Sequence, residues 1–442
     1  MSSVAGRGRG WKLRIGAGIA LATLIAAAAA GLRPTASAVD VLVDSEAVFP
    51  AVLQLIRSAQ DEVLLSMYML GGESVAPGDP AGIGLEIVDA LAERRAAGVR
   101  VRVLSTRFEV AEDRREPGTF ATEDVWLHPV FDEARSRGIP ILRPEASAGS
   151  IDHTKYLVVD GRTAIFGGMN LADAVATNHD LMVRVSGPAV ARLEDAFEAS
   201  WSRAVRAHGP DPRTAEDAPL VRHGSALAQA MSRAAAVREG ADSCDVEVFV
   251  NTPDAHPLEP ALLTILERLE RGDRLRVAML LFTAGKLVDG VVAAQERGAS
   301  VTVAVDPERA LYGVDCVTAD NAASVAKLAG AGVPTRLYDV APGQELHMKV
   351  FVADIGAARV WGVGSANWAG SDMSRNSELT GIFTGCPATA ARVSALLDTD
   401  FEARAAPPTP AQLACFNSGR CRASLRKTCG ERLRRSWLSG RR

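Results

Sequence analysis

Two widely separated stretches of this chain carry the same unusual spacing of polar residues inside an apolar run. The first reads Asp152-His153-Thr154-Lys155, reaches Asp160 and continues to Gly167-Gly168-Met169-Asn170. The second reads Leu346-His347-Met348-Lys349, reaches Asp354 and continues to Gly364-Ser365-Ala366-Asn367. In both, Lys follows His by two positions and Asp follows it by seven. Residues two apart on a strand project from the same face, so each His is expected to point with its Lys into one site. A single H-x-K-x-x-x-x-D arises by chance roughly a few per cent of the time in such a chain. A second copy, with the same G-[GS]-x-N behind it, does not.

The elements leading into each copy also repeat. A helix pattern at 47–60 precedes the apolar run 63–69, and one at 258–269 precedes the run 275–282. A second helix pattern, 83–97 or 286–297, ends at Gly98 or Gly298 before a strand at 99–104 or 300–305. A third, 130–136 or 322–329, is followed by a glycine and a short strand at 141–143 or 334–337. Glycine after the last helical turn is the expected stop signal. Helices alternating with strands place helices on the faces of a buried sheet. The expected fold is α/β: two tandem, similar α/β/α halves with mixed sheets and a pseudo-twofold active site between them. The boundaries read as an N-terminal segment at 1–38, a first half at 39–207, a linker at 208–243, a second half at 244–403 and a tail at 404–442.

These residues resemble the phospholipase D superfamily, whose mark is a duplicated H-x-K-x(4)-D with a downstream G-S-x-N. The resemblance covers nearly all of 39–403. With the Phe197-x-x-x-Trp201 pair closing the first half, it looks most like cardiolipin synthases and bacterial phospholipases D. It implies a phospholipase D-type phosphodiesterase or phosphatidyltransferase acting through a phosphohistidine, with no cofactor and no metal. One His attacks phosphorus and the other protonates the leaving alkoxide. Analogy makes His153 the nucleophile and His347 the acid, and the reverse assignment stays open. Lys155 and Lys349, with Asn170, Asn367 and Ser365, would offset charge on the phosphoryl oxygens. A carboxylate should fix each imidazole's tautomer. Asp180 and Glu378, ten and eleven residues beyond Asn170 and Asn367, stand where the family places that acid. Asp160 and Asp354 are expected to hold turns through backbone bonds. Two departures stand out: Gly168 replaces the usual Ser and removes a hydroxyl from the substrate-binding positions, and the second motif has three extra residues before Gly364.

Charge separates the remaining readings. The chain carries a net −4; residues 1–38 contribute +5 and the tail +9, which leaves −18 on 39–403. So acidic a body repels polyanions. That counts against nucleic acid as a partner, and so against an exported nuclease, the second enzyme reading. The basic tail suits a phospholipid substrate at a membrane surface. A non-catalytic lipid-binding relative is a third reading, against which stand the intact His and Lys pairs. Arg7, Arg9, Lys12 and Arg14 precede an apolar run at 15–32 and Ala36-Ser37-Ala38. That is the order of a secretory signal, with a retained anchor as the alternative, and either exports the catalytic body. There is one such segment, where cardiolipin synthases commonly carry two. Six cysteines permit disulfides in an exported chain, and three of them crowd into the tail. Both motifs lie in one chain, so a monomer is expected to be complete. The polar connections 106–129 and 306–318 are read as the substrate entrance, Trp361 and Trp368 as packing residues, and His128, His179, His208, His223 and His256 as ordinary surface or packed residues.

Overall fold

The computed structural model describes residues 36–71, 82–107, 129–144, 150–216, 242–307, 320–341 and 344–438. The leader through residue 35, most of both entrance segments, His128 and His223 lie outside the described residues.

In the first half the strands are β1 (Ser37–Val43), β2 (Glu62–Met69), β3 (Arg100–Arg107), β4 (Ile141–Leu142), β5 (Lys155–Val159), β6 (Thr163–Gly167) and β7 (Leu181–Ser186). The second half repeats them as β8 (Asp242–Asn251), β9 (Arg274–Met279), β10 (Ser300–Val305), β11 (Thr335–Tyr338), β12 (Lys349–Ile355), β13 (Ala358–Gly364) and β14 (Glu378–Thr384), with β15 (Ala405–Ala406) added at the edge. Their spatial order is β4-β3-β2-β5-β6-β7-β1 in one half and β11-β10-β9-β12-β13-β14-β8 in the other, a match strand for strand. The three outermost matched strands of each half run parallel, which requires crossovers, and the helices Ile83–Ala96 and Pro129–Ser136 in one half and Gly285–Glu296 and Ala322–Gly330 in the other lie on them.

The expected mixed sheets are in fact one. β1 pairs antiparallel with β8, Ala38 opposite Ser243, so among the described residues fifteen strands form a single continuous sheet. Neither β1 nor β8 is among the elements expected from patterning. β1 also begins at Ser37, two residues inside the expected boundary at 38.

Strand alternation divides the core. Val63, Leu65 and Met67 pack with the helices Asp44–Arg57 and Ile83–Ala96, whereas Leu64 faces the other side. In the second half Leu275, Val277 and Met279 pack with Leu258–Glu267 and Gly285–Glu296, whereas Ala278 faces the other side. On that other side lie Ala189–His208 and Pro387–Ala403, whose Leu193, Phe197, Val393 and Leu397 belong to one buried cluster spanning both halves. Phe166 stacks on Phe383 across the junction at 6.2 Å. Gly381 makes room for that ring, because a Cβ there would stand 2.7 Å from Phe166 Cζ. Each buried aromatic contributes about 2 kcal/mol, so parting the halves would be costly.

Trp361 and Trp368 are core residues, as expected: Trp361 stacks on Phe383 at 4.0 Å, and Trp368 meets Phe282 edge-on. Disulfides join Cys244 to Cys386, tying β8 to the start of Pro387–Ala403, and Cys415 to Cys421 in the tail. Among the described residues no helix is long and apolar enough to cross a membrane.

Candidate active site

Each His is placed by backbone pairing between the halves. Just before β5, His153 N donates to Ser377 O and Ser377 N to Ile151 O, both at 2.9 Å. Just before β12, His347 N donates to His179 O and His179 N to Glu345 O, again at 2.9 Å. Asparagines extend the pattern, Asn376 Oδ1 accepting from Ile151 N and Asn178 Oδ1 from Glu345 N. The tripeptides Asn178-His179-Asp180 and Asn376-Ser377-Glu378 thus zip onto the motif of the opposite half, and the acids are exchanged. His153 Nδ1 lies 3.1 Å from Glu378 Oε1, and His347 Nδ1 lies 2.6 Å from Asp180 Oδ2. A carboxylate on Nδ1 leaves Nε2 of each ring for substrate.

The two ammonium groups are anchored in the same way, Lys155 Nζ to His153 O at 2.7 Å and Lys349 Nζ to His347 O. Lys155 feels the charges of Glu378, Lys349, Asp180 and Asp372, so the two motifs form a single charge cluster. It is buried, and the ring of His153 is its exposed edge at 12%. Burial is the largest influence on the two lysines, the two histidines and Glu378. It pushes Lys155 down to about 7 and Glu378 up to about 7, and it lowers Lys349 and His347. His153 is held well below the usual imidazole value by burial and then by Lys155, so its ring is neutral at neutral pH.

The halves differ where the repeat predicts likeness. Ser365 Oγ donates to Glu378 and accepts from Leu379 N at 3.0 Å, so its hydroxyl is committed to the acid rather than to substrate. At the matching place a Cβ on Gly168 would overlap Asp180 Oδ1. The missing side chain makes room for the shorter acid, whose Oδ1 accepts from Leu181 N at 2.7 Å while Oδ2 faces His347.

Sequence reasoning missed three residues. Asp372 is buried beside His153, in a cluster with Glu378 whose donor atoms all lie within 4.8 Å of one another. It accepts from Asn367 N, Asn367 Nδ2 and Asn376 Nδ2, each at 2.9 Å, and burial, then Glu378, raises it to about 6. The first half has Val175 at the matching position, so the repeat offered no signal. Tyr68 meets the His153 ring edge-on at 4.7 Å and lies under Lys155 Nζ at 5.1 Å; its counterpart is Leu280. These groups suit hydrogen-bond and charge control of His153. A cation among His153, Asp372 and Glu378 would compete with the bonds these acids already accept and with two neighbouring ammonium groups.

The third is His179, which is not an ordinary packed residue. Its Nδ1 lies 2.8 Å from Asp44 Oδ1, its Nε2 lies 3.0 Å from Asp400 Oδ2, and its ring stacks on Tyr338. Asp44, held at φ +60°, also takes Asp180 N at 3.0 Å, so this clamp fixes the backbone of the acid that serves His347. Burial opposes the charge, yet the bonds from Asp400 and Asp44 prevail and lift His179 to about 9. A raised imidazole stabilises the fold in full below its unfolded value of 6.5, and that contribution is lost as pH rises through about 9. Unfolding measured from about pH 7 to about pH 10 should lose on the order of 2–3 kcal/mol that the variant His179→Gln never had. Equal pH dependence in the two proteins would overturn this role.

The other expected residues fall in two groups. Asn170 and Asn367 are buried in the cluster; Asn367 Oδ1 accepts from Leu281 N at 3.4 Å, whereas among the described residues Asn170 Oδ1 has no hydrogen-bond partner. Asp160 and Asp354 sit at the far ends of β5 and β12, about 16 Å along the strand from the lysines, and neither reaches the site. Asp160, at φ +54°, caps Gln60 N, Asp61 N and Glu62 N as expected. Asp354 instead bonds side chains, pairing with Arg276 at 2.9 Å and with Arg359.

The family described as cardiolipin synthase, PLD-like domain, matches residues 52–201 and 265–403, one span on each motif. The chain belongs to this phospholipase D family. Cardiolipin synthase A of Pseudomonas entomophila (strain L48) is 25% identical over 386 residues, 82% of this chain and 68% of the relative. Cardiolipin synthase A of Pseudomonas fluorescens (strain SBW25) is 27% identical over 186 residues, 38% of this chain. The chain spans 34% of that second relative's length. Among solved structures, phosphatidylserine synthase of Haemophilus influenzae Rd KW20 superposes with a TM-score of 0.62 at 10% identity, covering 94% of this chain and 99% of its own. Polyphosphate kinase from Porphyromonas gingivalis superposes at 0.52 with 11% identity, over 90% of this chain and 53% of its own. At such low identities these two superpositions show a shared fold alone.

Proposed function

We propose that this chain is a metal-independent phosphatidyltransferase of the cardiolipin synthase kind, working through a phosphohistidine on His153. The exchange of acids between the halves carries the reading: it puts a carboxylate on Nδ1 of each ring, rather than on Nε2, with two lysines in the same buried cluster. A phosphodiester repels anionic nucleophiles, and neutral His153 is suited to attack it. In the first step His153 Nε2 bonds to phosphorus, the bond to the leaving alcohol breaks, and His347 Nε2–H passes its proton to that oxygen. In the second step His347 takes the proton of the acceptor hydroxyl, whose oxygen displaces His153 and restores the free ring. Lys155, Lys349 and the two asparagines offset charge on the phosphoryl oxygens in both steps. Water in place of the acceptor gives hydrolysis.

The same reading places the catalytic body outside the cytoplasm. The basic-then-apolar order of residues 1–38 supports it, as do two disulfides, which persist in oxidising compartments.

The test incubates the protein, in chelator, with phosphatidylglycerol vesicles and separately with plasmid DNA. Cardiolipin and free glycerol in equal amounts are expected. Nicked DNA with unchanged lipid would put the nuclease first, and phosphatidic acid without cardiolipin would reduce the reading to a phospholipase. Recovery of the chain from the cytosolic fraction would remove the export claim.

A further inference from the structure

The structure also shows where the positive end of this chain begins. After β15 come the helices Pro410–Asn417 and Gly419–Leu438, joined by the Cys415–Cys421 disulfide. The start of the long helix is fixed to the body in several ways. Phe416 is buried in the second-half core, Thr409 and Gln412 form a reciprocal capping box, and Arg422 donates to Phe416 O. Arg426 Nε lies 3.8 Å from Asp320 Oδ1. The next residue, Asn321, donates from Nδ2 to Leu280 O and accepts at Oδ1 from Phe282 N, both at 2.8 Å. Between those two, Leu281 N donates to Asn367 Oδ1. The helix therefore sets out against the loop that holds Asn367 in the site.

Its charge is one-sided. From Gly419 onward the sequence has nine Arg or Lys against a single acid, Glu431. Arg420, Arg426 and Lys427 are exposed. Arg420, Lys427 and Arg434 recur every seven residues, so their backbone positions share a helix face. The body at −18 repels an anionic surface, whereas this helix attracts one. Resting on the phosphatidyltransferase reading of the site, we infer that the helix Gly419–Leu438 docks the enzyme on a bilayer of anionic phospholipid, on the side of the second half where the loop holding Asn367 lies. The occupant is a lipid surface because charge complementarity coincides with proximity to a site that consumes anionic lipid.

The test compares the full chain with a triple variant, Arg420→Gln, Lys427→Gln and Arg434→Gln, which leaves the Arg426–Asp320 pair in place. Co-sedimentation would use vesicles of phosphatidylglycerol with phosphatidylcholine, and vesicles of phosphatidylcholine alone. A basic residue near an anionic surface strengthens binding about fivefold, so the variant should bind mixed vesicles on the order of 100-fold more weakly. The wild type should lose the same advantage at high salt and on phosphatidylcholine alone. Turnover of a short-chain phosphatidylglycerol dissolved below its micelle concentration should be equal in both proteins. Unchanged vesicle binding by the variant would overturn the inference, and so would loss of DNA binding with vesicle binding intact. If salt-sensitive vesicle binding requires the three residues while wild type turns over no soluble lipid, the docking arm stands and the assignment of the reaction falls.

Discussion

His153→Ala is expected to lower phosphatidyl transfer by on the order of 10⁴-fold or more, because in the proposed mechanism it removes the atom that bonds to phosphorus. Loss of activity alone would not separate His153 from His347. The useful comparison uses a phosphodiester whose leaving group is already acidic, such as a p-nitrophenyl ester, which departs without a proton. His347→Ala should then still release nitrophenol in a burst and accumulate a phosphorylated enzyme that is labile to acid, whereas His153→Ala should show neither. The opposite pattern would reverse the roles. Three observations favour the stated direction. His153 is held well below its ordinary value, it is the exposed edge of the cluster, and it alone of the two rings has Tyr68 and Asp372 beside it. The ring that must be neutral when substrate arrives is the one whose surroundings most oppose its charge.

The second large effect is expected at Asp180. Its carboxylate raises the His347 value against burial and Lys349, which both lower it. In Asp180→Asn the amide cannot stabilise an imidazolium and can hold the ring in the wrong tautomer, so turnover should fall about 10²- to 10⁴-fold. The sign of the pH effect follows from the same bond. Without the carboxylate His347 gives up its proton more readily, and the alkaline limb of the turnover profile should move to lower pH. The profile of kcat from about pH 5 to about pH 9 tests this. Glu378→Gln should leave the alkaline limb in place and disturb the acid limb, because that carboxylate serves His153. If Asp180→Asn shifted the acid limb instead, the exchange of acids between the halves would not govern catalysis.

Much of this was legible along the chain. Strand alternation put His153 with Lys155 and His347 with Lys349, and both pairs do enter one buried cluster. The glycine stops held as well, Gly98 and Gly298 both adopting the left-handed backbone that ends a helix before a strand. Asp180 and Glu378 were singled out because the family resemblance places a His-orienting acid ten or eleven residues beyond Asn170 and Asn367. Asp354 was misjudged because Asp160 and Asp354 occupy matching positions while their neighbours differ: Arg276 and Arg359 surround only the second. β1 and β8 escaped notice for a related reason. β1 abuts the leader, and β8 mixes Asp242, Asp245 and Glu247 with apolar residues, so neither shows a clean apolar run.

By itself the sequence determined which residues are the candidates for the chemistry and that two similar units carry them, because motif spacing and helix or strand period are local properties of the chain. Only the tertiary structure decided which acid serves which His. The His153–Glu378 bond joins residues 225 apart and the His347–Asp180 bond residues 167 apart, and no local pattern encodes such a pairing. The joining of two sheets through β1 and β8 imposes it. That antiparallel junction brings the segment before each acid against the strand entry of the opposite half. The same closure buries the cluster, shifts its lysines and histidines toward their neutral forms, and turns His179 into a charged clamp.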